Sequence, residues 1–388
     1  MKPQRSLVEQ IADAVLYEGY LLYPYRPSVK NRQRWTFGGL YPRAYSEAGG
    51  GNEPWTMQTE CLVRGGPDSV VRISVRFLQL VKRQVEQFDR PVADCNDLSN
   101  VKTQDVESLR IGDEVYYTWQ EAEERTVEVG EFALGALLAD TRWVEFTFAS
   151  PHDRQLLRSP SGMVLGIMTR QGRHIEGEVE ISSELVGEGV IRVGVTIRNR
   201  TPFSIEGEVD RDEALLHGLV STHAVLNVRD GAFVSLIDPP EDLKEQAADC
   251  RNVRAWPVLV GEEGATDTIL SAPIILYDYP RIAPESPGDL FDATEVDEIL
   301  SLRIMTLAEH EKQAMASVDA RARALLERTE SLADDQMRGL HGAIRGLRPV
   351  EATGGALQTV EDRGPSLGGW DPPDEDAERW NPFAERPA

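Results

Sequence analysis

Residues 175–199 read IEGEVEISSELVGEGVIRVGVTIRN, with apolar side chains at every second position along most of the run. Ile175, Val179 and Ile181 alternate with acids. After a turn at Gly187 to Gly189, Ile191, Val193, Val195 and Ile197 answer them. Successive side chains of an extended chain point to opposite faces, so this pattern predicts two antiparallel strands with one dry and one wet face. Trp143 to Phe148 repeats the pattern upstream.

Outward from there, Trp55 to Leu80 also has period two. Val71, Ile73, Val75 and Phe77 alternate with Arg72, Ser74 and Arg76. The run Arg64-Gly65-Gly66-Pro67-Asp68 interrupts it and predicts a β-hairpin or two neighbouring strands. Asp230-Gly231, between Ala224 to Val228 and Ala232 to Ile237, predicts a second hairpin. Trp256 to Val260 and Pro273 to Tyr279 read as buried apolar runs, the second strand-like. Trp119 to Arg125 reads as a short surface helix, Leu243 to Cys250 as another, and Asp94 to Asp97 as a turn.

The ends are helical or irregular. Val8, Ile11, Ala12 and Val15 recur at helical spacing over Ser6 to Tyr20, with Ser6 and Glu9 placed as a capping box. Thr294 with Asp297, and Thr306 with Glu309, announce two helices reaching the Arg345 region. Pro349 to Ala388 is rich in glycine, proline and acid and reads as a disordered tail. The predicted class is therefore α+β: antiparallel, sandwich-like sheets with an N-terminal helix and a C-terminal helical segment. The expected divisions are 1–55, a β-rich body over 56–290, helices over 291–348 and the tail over 349–388.

Of the 388 residues, 65 are Asp or Glu and 41 are Lys or Arg, a formal net charge of −24. Phosphate contacts need a basic footprint, so the balance argues against nucleic acid and against anionic membrane surfaces. It favours attraction of basic partners at long range. The N-terminus lacks the continuous apolar core of a signal peptide, and no run approaches the roughly 20 apolar residues of a membrane span. Three scattered cysteines, Cys61, Cys95 and Cys250, fit a reduced, cytoplasmic setting.

No phosphate loop, C-x-x-C, H-E-x-x-H or G-x-S-x-G elbow is present. Cys95, Cys250 and His217 or His223 could supply metal ligands, but zinc sites usually show one close ligand pair, so core or surface roles are the better reading and no metal or cofactor is expected. Asp278, Glu285, Asp289, Asp292, Glu295 and Asp297 form an acid cluster beside Tyr277 and Tyr279. Carboxylates with split pKa values could do acid–base work. Acids where a loop enters a helix also simply favour its dipole, which is the preferred reading.

One stretch differs from all others. Tyr23, Tyr25, Arg26, Lys30, Arg32, Arg34 and Trp35, continuing to Phe37, Tyr41, Arg43 and Tyr45, mix rings and cations within an acidic protein. Either its arginines pair with surrounding carboxylates, or it recognises a carboxylate-bearing partner through bidentate guanidinium bonds. Trp370, Trp380 and Phe383 in the acidic tail mark a second candidate partner motif.

Four strings carry a resemblance: LLYPYRPSVKNRQRWTFGG (21–39), GAFVSLIDPP (231–240), WPVLVGEEG (256–264) and PIILYDYPRIAPESPGDLFDATEVDEIL (273–300). Over about residues 6–345 the chain resembles a family of uncharacterised bacterial proteins encoded beside high-affinity, actinobacterial-type nickel–iron (NiFe) hydrogenases. The resemblance transfers no catalytic residue. It implies a non-catalytic accessory or assembly protein supporting hydrogenase maturation by protein–protein binding. The expected contacts are the segment Tyr23 to Trp35, Tyr277, Asp278, Tyr279 and Asp289, with Trp370 and Trp380 in the tail. The alternative is a hydrolase or metal-dependent enzyme using the acids around Asp278 to Asp292.

Overall fold

A computed structural model of the chain describes residues 7–21, 39–93, 101–205, 207 and 210–281, with scattered positions between 304 and 331. In chain order the elements are α1 (Leu7–Leu21), α2 (Arg43–Ala48), β1 (Thr56–Val92), β2 (Thr103–Val106), β3 (Ser108–Ile111), β4 (Glu114–Tyr117), β5 (Trp119–Ala133), α3 (Leu134–Ala139), β6 (Arg142–Phe148), β7 (His152–Arg158), β8 (Val164–Gly172), β9 (Ile175–Gly187), β10 (Val190–Asn199), α4 (Arg211–Leu216), β11 (Val220–Val234), α5 (Lys244–Ala248), β12 (Trp256–Leu259) and β13 (Thr268–Ala272). The α+β reading holds: the body is antiparallel sheet with a helix at its N-terminal side.

β1 organises the body. Its first part pairs with β10, its middle with β11 and β5, and its last part with β8 and β2. The main path runs β12-β13-β11-β1-β10-β9-β6. Gly65 to Asp68 does not turn the chain back. Val63 and Val71 both face the same strand, β11, opposite Phe233 and Val228. The predicted hairpin is thus one long strand with a bulge.

The Asp230-Gly231 hairpin is corrected in the same place, because β11 also runs straight through. The two turn-like sequences face each other. Gly65 pairs with Gly231, and Ser69 Oγ donates to Asp230 O at 2.5 Å while accepting from Gly66 N at 3.0 Å. Asp230 takes φ of +55°, and a Cβ on Gly65 would overlap Ser69 Oγ. A paired bulge of this kind bends and twists both strands, which carries β1 from one layer into the other.

Trp119 to Arg125 is strand rather than helix. Its acids meet cations on neighbouring strands: Arg83 Nη1 lies 2.7 Å and Arg170 Nε 2.8 Å from Glu121, and Arg76 lies 3.6 Å from Glu124. A charge-rich stretch pairs as sheet when its neighbours neutralise it side by side.

The inner faces meet in one apolar core. Met57, Cys61 and Val63 of β1, with the dry faces of β9 and β10, pack against Val71, Ile73, Val75 and Phe77 of the same β1, with β5, β11 and β13. Each fully buried Val or Ile there contributes on the order of 1.5–3 kcal/mol. α3 adds Leu134 and Leu137 to this core. The other face of the β11–β13 side is covered by α1 and α4. Leu16 and Tyr17 pack with Leu78, Leu80, Leu215 and Val220, and Ile11 and Val15 pack with Val258 and Leu270. Ile304 and Leu326, described helical residues of the C-terminal part, bury in the first of these clusters. Asn199 fixes residue 40 beside α4, its Nδ2 donating to Leu40 O at 2.8 Å and His217 O at 2.9 Å.

A candidate docking edge beyond β13

Pro273 to Tyr279 is not a buried strand. The strand ends at Ala272, and the next residues form a strap. Leu259, in edge strand β12, donates its N–H to Asp278 Oδ1 at 2.8 Å and accepts from Tyr279 N at 2.7 Å. Its neighbour Val260 donates its N–H to Thr268 O at the start of β13. The strap therefore satisfies the outward N–H and C=O of Leu259, which would otherwise belong to an open edge.

The clamp has two more parts. Ser235 Oγ donates to Asp278 Oδ2 at 2.5 Å and accepts from the N–H of Asp238 at 2.9 Å. Tyr279 OH donates to Ala265 O at 3.0 Å, with Tyr279 held at φ of +56°. A non-glycine residue keeps this conformation only when its surroundings fix it. Burial and the neighbouring Asp278 carboxylate raise the Tyr279 phenol pKa.

Along the strap, side chains alternate. Ile274 and Leu276 turn inward to pack with α1 and β12, whereas Ile275 and Tyr277 are 72% and 78% exposed. Trp256, expected to be buried, is 41% exposed at the start of β12, where it pairs with Ala272. Ile237, two residues past the clamping Ser235, is exposed too. Large apolar and aromatic side chains on a fixed backbone are the ingredients of a binding surface. Trp256, Ile237 and Ile275 were missed in the sequence. The available signal was the alternation Ile274, Ile275, Leu276, Tyr277, which reads as a run of uniform hydrophobicity until one face meets solvent.

The other predicted site residues fall as follows. Tyr277 is displayed; Asp278 and Tyr279 hold the strap. Tyr23, Tyr25, Arg26, Lys30, Arg32, Arg34, Trp35, Asp289, Trp370 and Trp380 lie outside the described residues, as do Cys95 and the acids from Glu285 to Asp297. The described end of the aromatic stretch is packed and paired. Tyr41 is buried beneath Arg211, whose Nε donates to Glu53 at 2.9 Å. Arg43 donates to Glu47 at 2.7 Å across the Trp55 ring.

The described candidate metal ligands, Cys250, His217 and His223, do not form a metal-holding group. Among the described residues, no group of three or more His, Cys, Asp or Glu is placed to hold a metal ion. His223 is fully buried between β1 and α1; its Nδ1 donates to Ser221 O at 3.0 Å. His217 lies under Phe203 beside the Arg173–Glu213 pair, and burial, aided by Arg173, lowers its pKa. Burial also raises the thiol pKa of Cys61 and Cys250.

No protein-family model matches this chain, and no curated protein matches it. Among the described residues no helix is long and apolar enough to cross a membrane.

Proposed function

We propose that this chain is a non-catalytic docking protein, an accessory or assembly factor whose described contact surface is the clamped strap beyond β13. The observation that carries the reading is the display of Ile275 and Tyr277 on a backbone fixed through Asp278 and Tyr279. An apolar pair held in place before contact loses little conformational freedom on binding, so its burial translates into affinity. Both oxygens of Asp278 serve the fold, which favours docking over the hydrolase alternative built on that carboxylate.

The resemblance to proteins encoded beside NiFe hydrogenases supplies the partner class: a hydrogenase subunit or its maturation machinery in the cytoplasm. Co-purification of tagged chain with hydrogenase subunits from co-expressing cells tests both parts. Wild type is expected to retain a subunit, and Ile275→Ser with Tyr277→Ser to lose it. Retention by the double variant removes the strap from the interface. No retention by wild type removes the hydrogenase. Arg26→Glu, Arg32→Glu and Arg34→Glu together test whether the aromatic–arginine segment adds to the contact.

A further inference from the structure

The two ends of the main sheet are finished differently. β12 is closed by the strap, but β6 ends the other side and pairs only with β9 among the described residues. Its sequence, RWVEFTF, carries none of the lysines or prolines that usually blunt an edge. At its C-terminal end Arg125 of β5 stacks on the Phe148 ring at 5.2 Å.

Two rows of side chains flank that open backbone. On the inner face Val144 and Phe146 are half-buried, a low apolar shelf beside the core. On the outer face Trp143 stands opposite Glu180, Glu145 opposite Glu178 and Thr147 opposite Glu176. Arg198 bridges Glu178 at 3.3 Å and Glu180 at 2.5 Å, and His174 lies 3.0 Å from Glu176. Glu145 is exposed and has no cationic partner among the described residues. Trp143 carries the Arg198 guanidinium over its ring at 5.1 Å and still remains 54% exposed.

We propose that the β6 edge takes an extended basic segment of a partner as an added strand. Open main-chain groups supply the register-independent part of such binding, and alternate side chains supply the choice of sequence. On the outer face an arginine or lysine can reach Glu145, and the next cation, two residues along, can approach the exposed part of the Trp143 ring. Between them, small β-branched residues fit the shelf of Val144 and Phe146.

A second copy of this chain is the competing occupant, and charge argues against it. Antiparallel self-pairing over the full seven residues centres on Glu145 and sets that carboxylate against its own copy. Like charges directly opposite destabilise a strand pair. Two copies that each carry a net charge of −24 also repel at long range, whereas a basic segment is drawn in.

The test uses the full chain and a fluorescein-labelled peptide, Arg-Val-Lys-Val-Arg-Thr, read by anisotropy at low and physiological salt. A parallel peptide methylated on alternate amide nitrogens keeps every charge but cannot pair as a strand. The expected result is saturable binding, weaker in salt, and at least about tenfold weaker for the methylated peptide, for Glu145→Arg and for Trp143→Ala. Both substitutions are at exposed positions, and the circular dichroism spectrum and melting point of each variant confirm that it folds. No binding by wild type overturns the proposal. Equal binding of both peptides overturns it as well, since attraction is then by charge alone. A wild-type dimer in sedimentation that Glu145→Arg alters assigns the edge to a second copy, and likewise overturns it.

Discussion

His223 shows what one buried side chain does to the stability of the whole. Its Nδ1 proton is committed to Ser221 O, its Nε2 has no hydrogen-bond partner among the described residues, and Arg76 lies directly across the strand pair. Arg76 is itself held by Asp13 of α1 at 2.6 Å and approached by Glu124, which accepts from Tyr17 OH. Burial, with a smaller push from Arg76, lowers the imidazole pKa from 6.5 to about 4. Between those values the unfolded chain binds the proton and the folded chain does not. Stability from this group is therefore complete above pH 6.5 and is lost as pH falls toward 4. The loss amounts to about 3 kcal/mol. His223→Asn keeps a donor for Ser221 but does not titrate, so the wild-type-minus-variant difference in urea midpoint is expected to fall as pH drops through that window. A difference that stays constant with pH would show that His223 is not the titrating group.

At the scale of elements, the strap beyond β13 and the paired bulge explain where sequence patterns sufficed and where they did not. The strands over 143–148 and 175–199 were legible because one face turns toward the core along most of their length, so alternation has a single cause. Gly65 and Gly231 misled because a glycine-rich run is equally suited to reversing a chain and to bulging it, and only the pairing partner decides. Trp119 to Arg125 misled because the arginines that neutralise its acids sit on β1 and β8, far away in sequence. Asp278 was singled out, but as chemistry rather than as a clamp, since its partners Ser235 and Leu259 are 43 and 19 residues away.

The clamp makes a prediction of its own. Asp278→Ala removes two acceptors and leaves the Leu259 N–H and Ser235 hydroxyl without them, a cost of about 1–3 kcal/mol for each group. Amide hydrogen exchange at Leu259 and Tyr279 is expected to accelerate by an order of magnitude or more while Val193 and Val195, in the core pairing of β9 and β10, stay protected. Unchanged exchange at Leu259 would mean that other contacts hold the strap.

For the whole molecule, β1 contributes to both walls of the sandwich and pairs with five other strands. Removing β1 would strip the shared core into which β5, β9, β10, β11 and β13 pack. Urea unfolding is therefore expected to show one transition, coincident by tryptophan fluorescence and far-ultraviolet circular dichroism. Two separated transitions would show that the walls are independent units.

The same strand raises a problem of timing during synthesis. Residues 56–92 leave the ribosome well before any of the segments that pair with their first and middle parts from the far side, β10 and β11, have been made. At about 5–20 residues per second, the interval until Val234 emerges is on the order of ten seconds. β5 and β8 can pair with the middle and last parts of β1 sooner, but the first part, residues 56–64, has no mate until β10 is made, which makes that apolar segment a natural client for a nascent-chain chaperone.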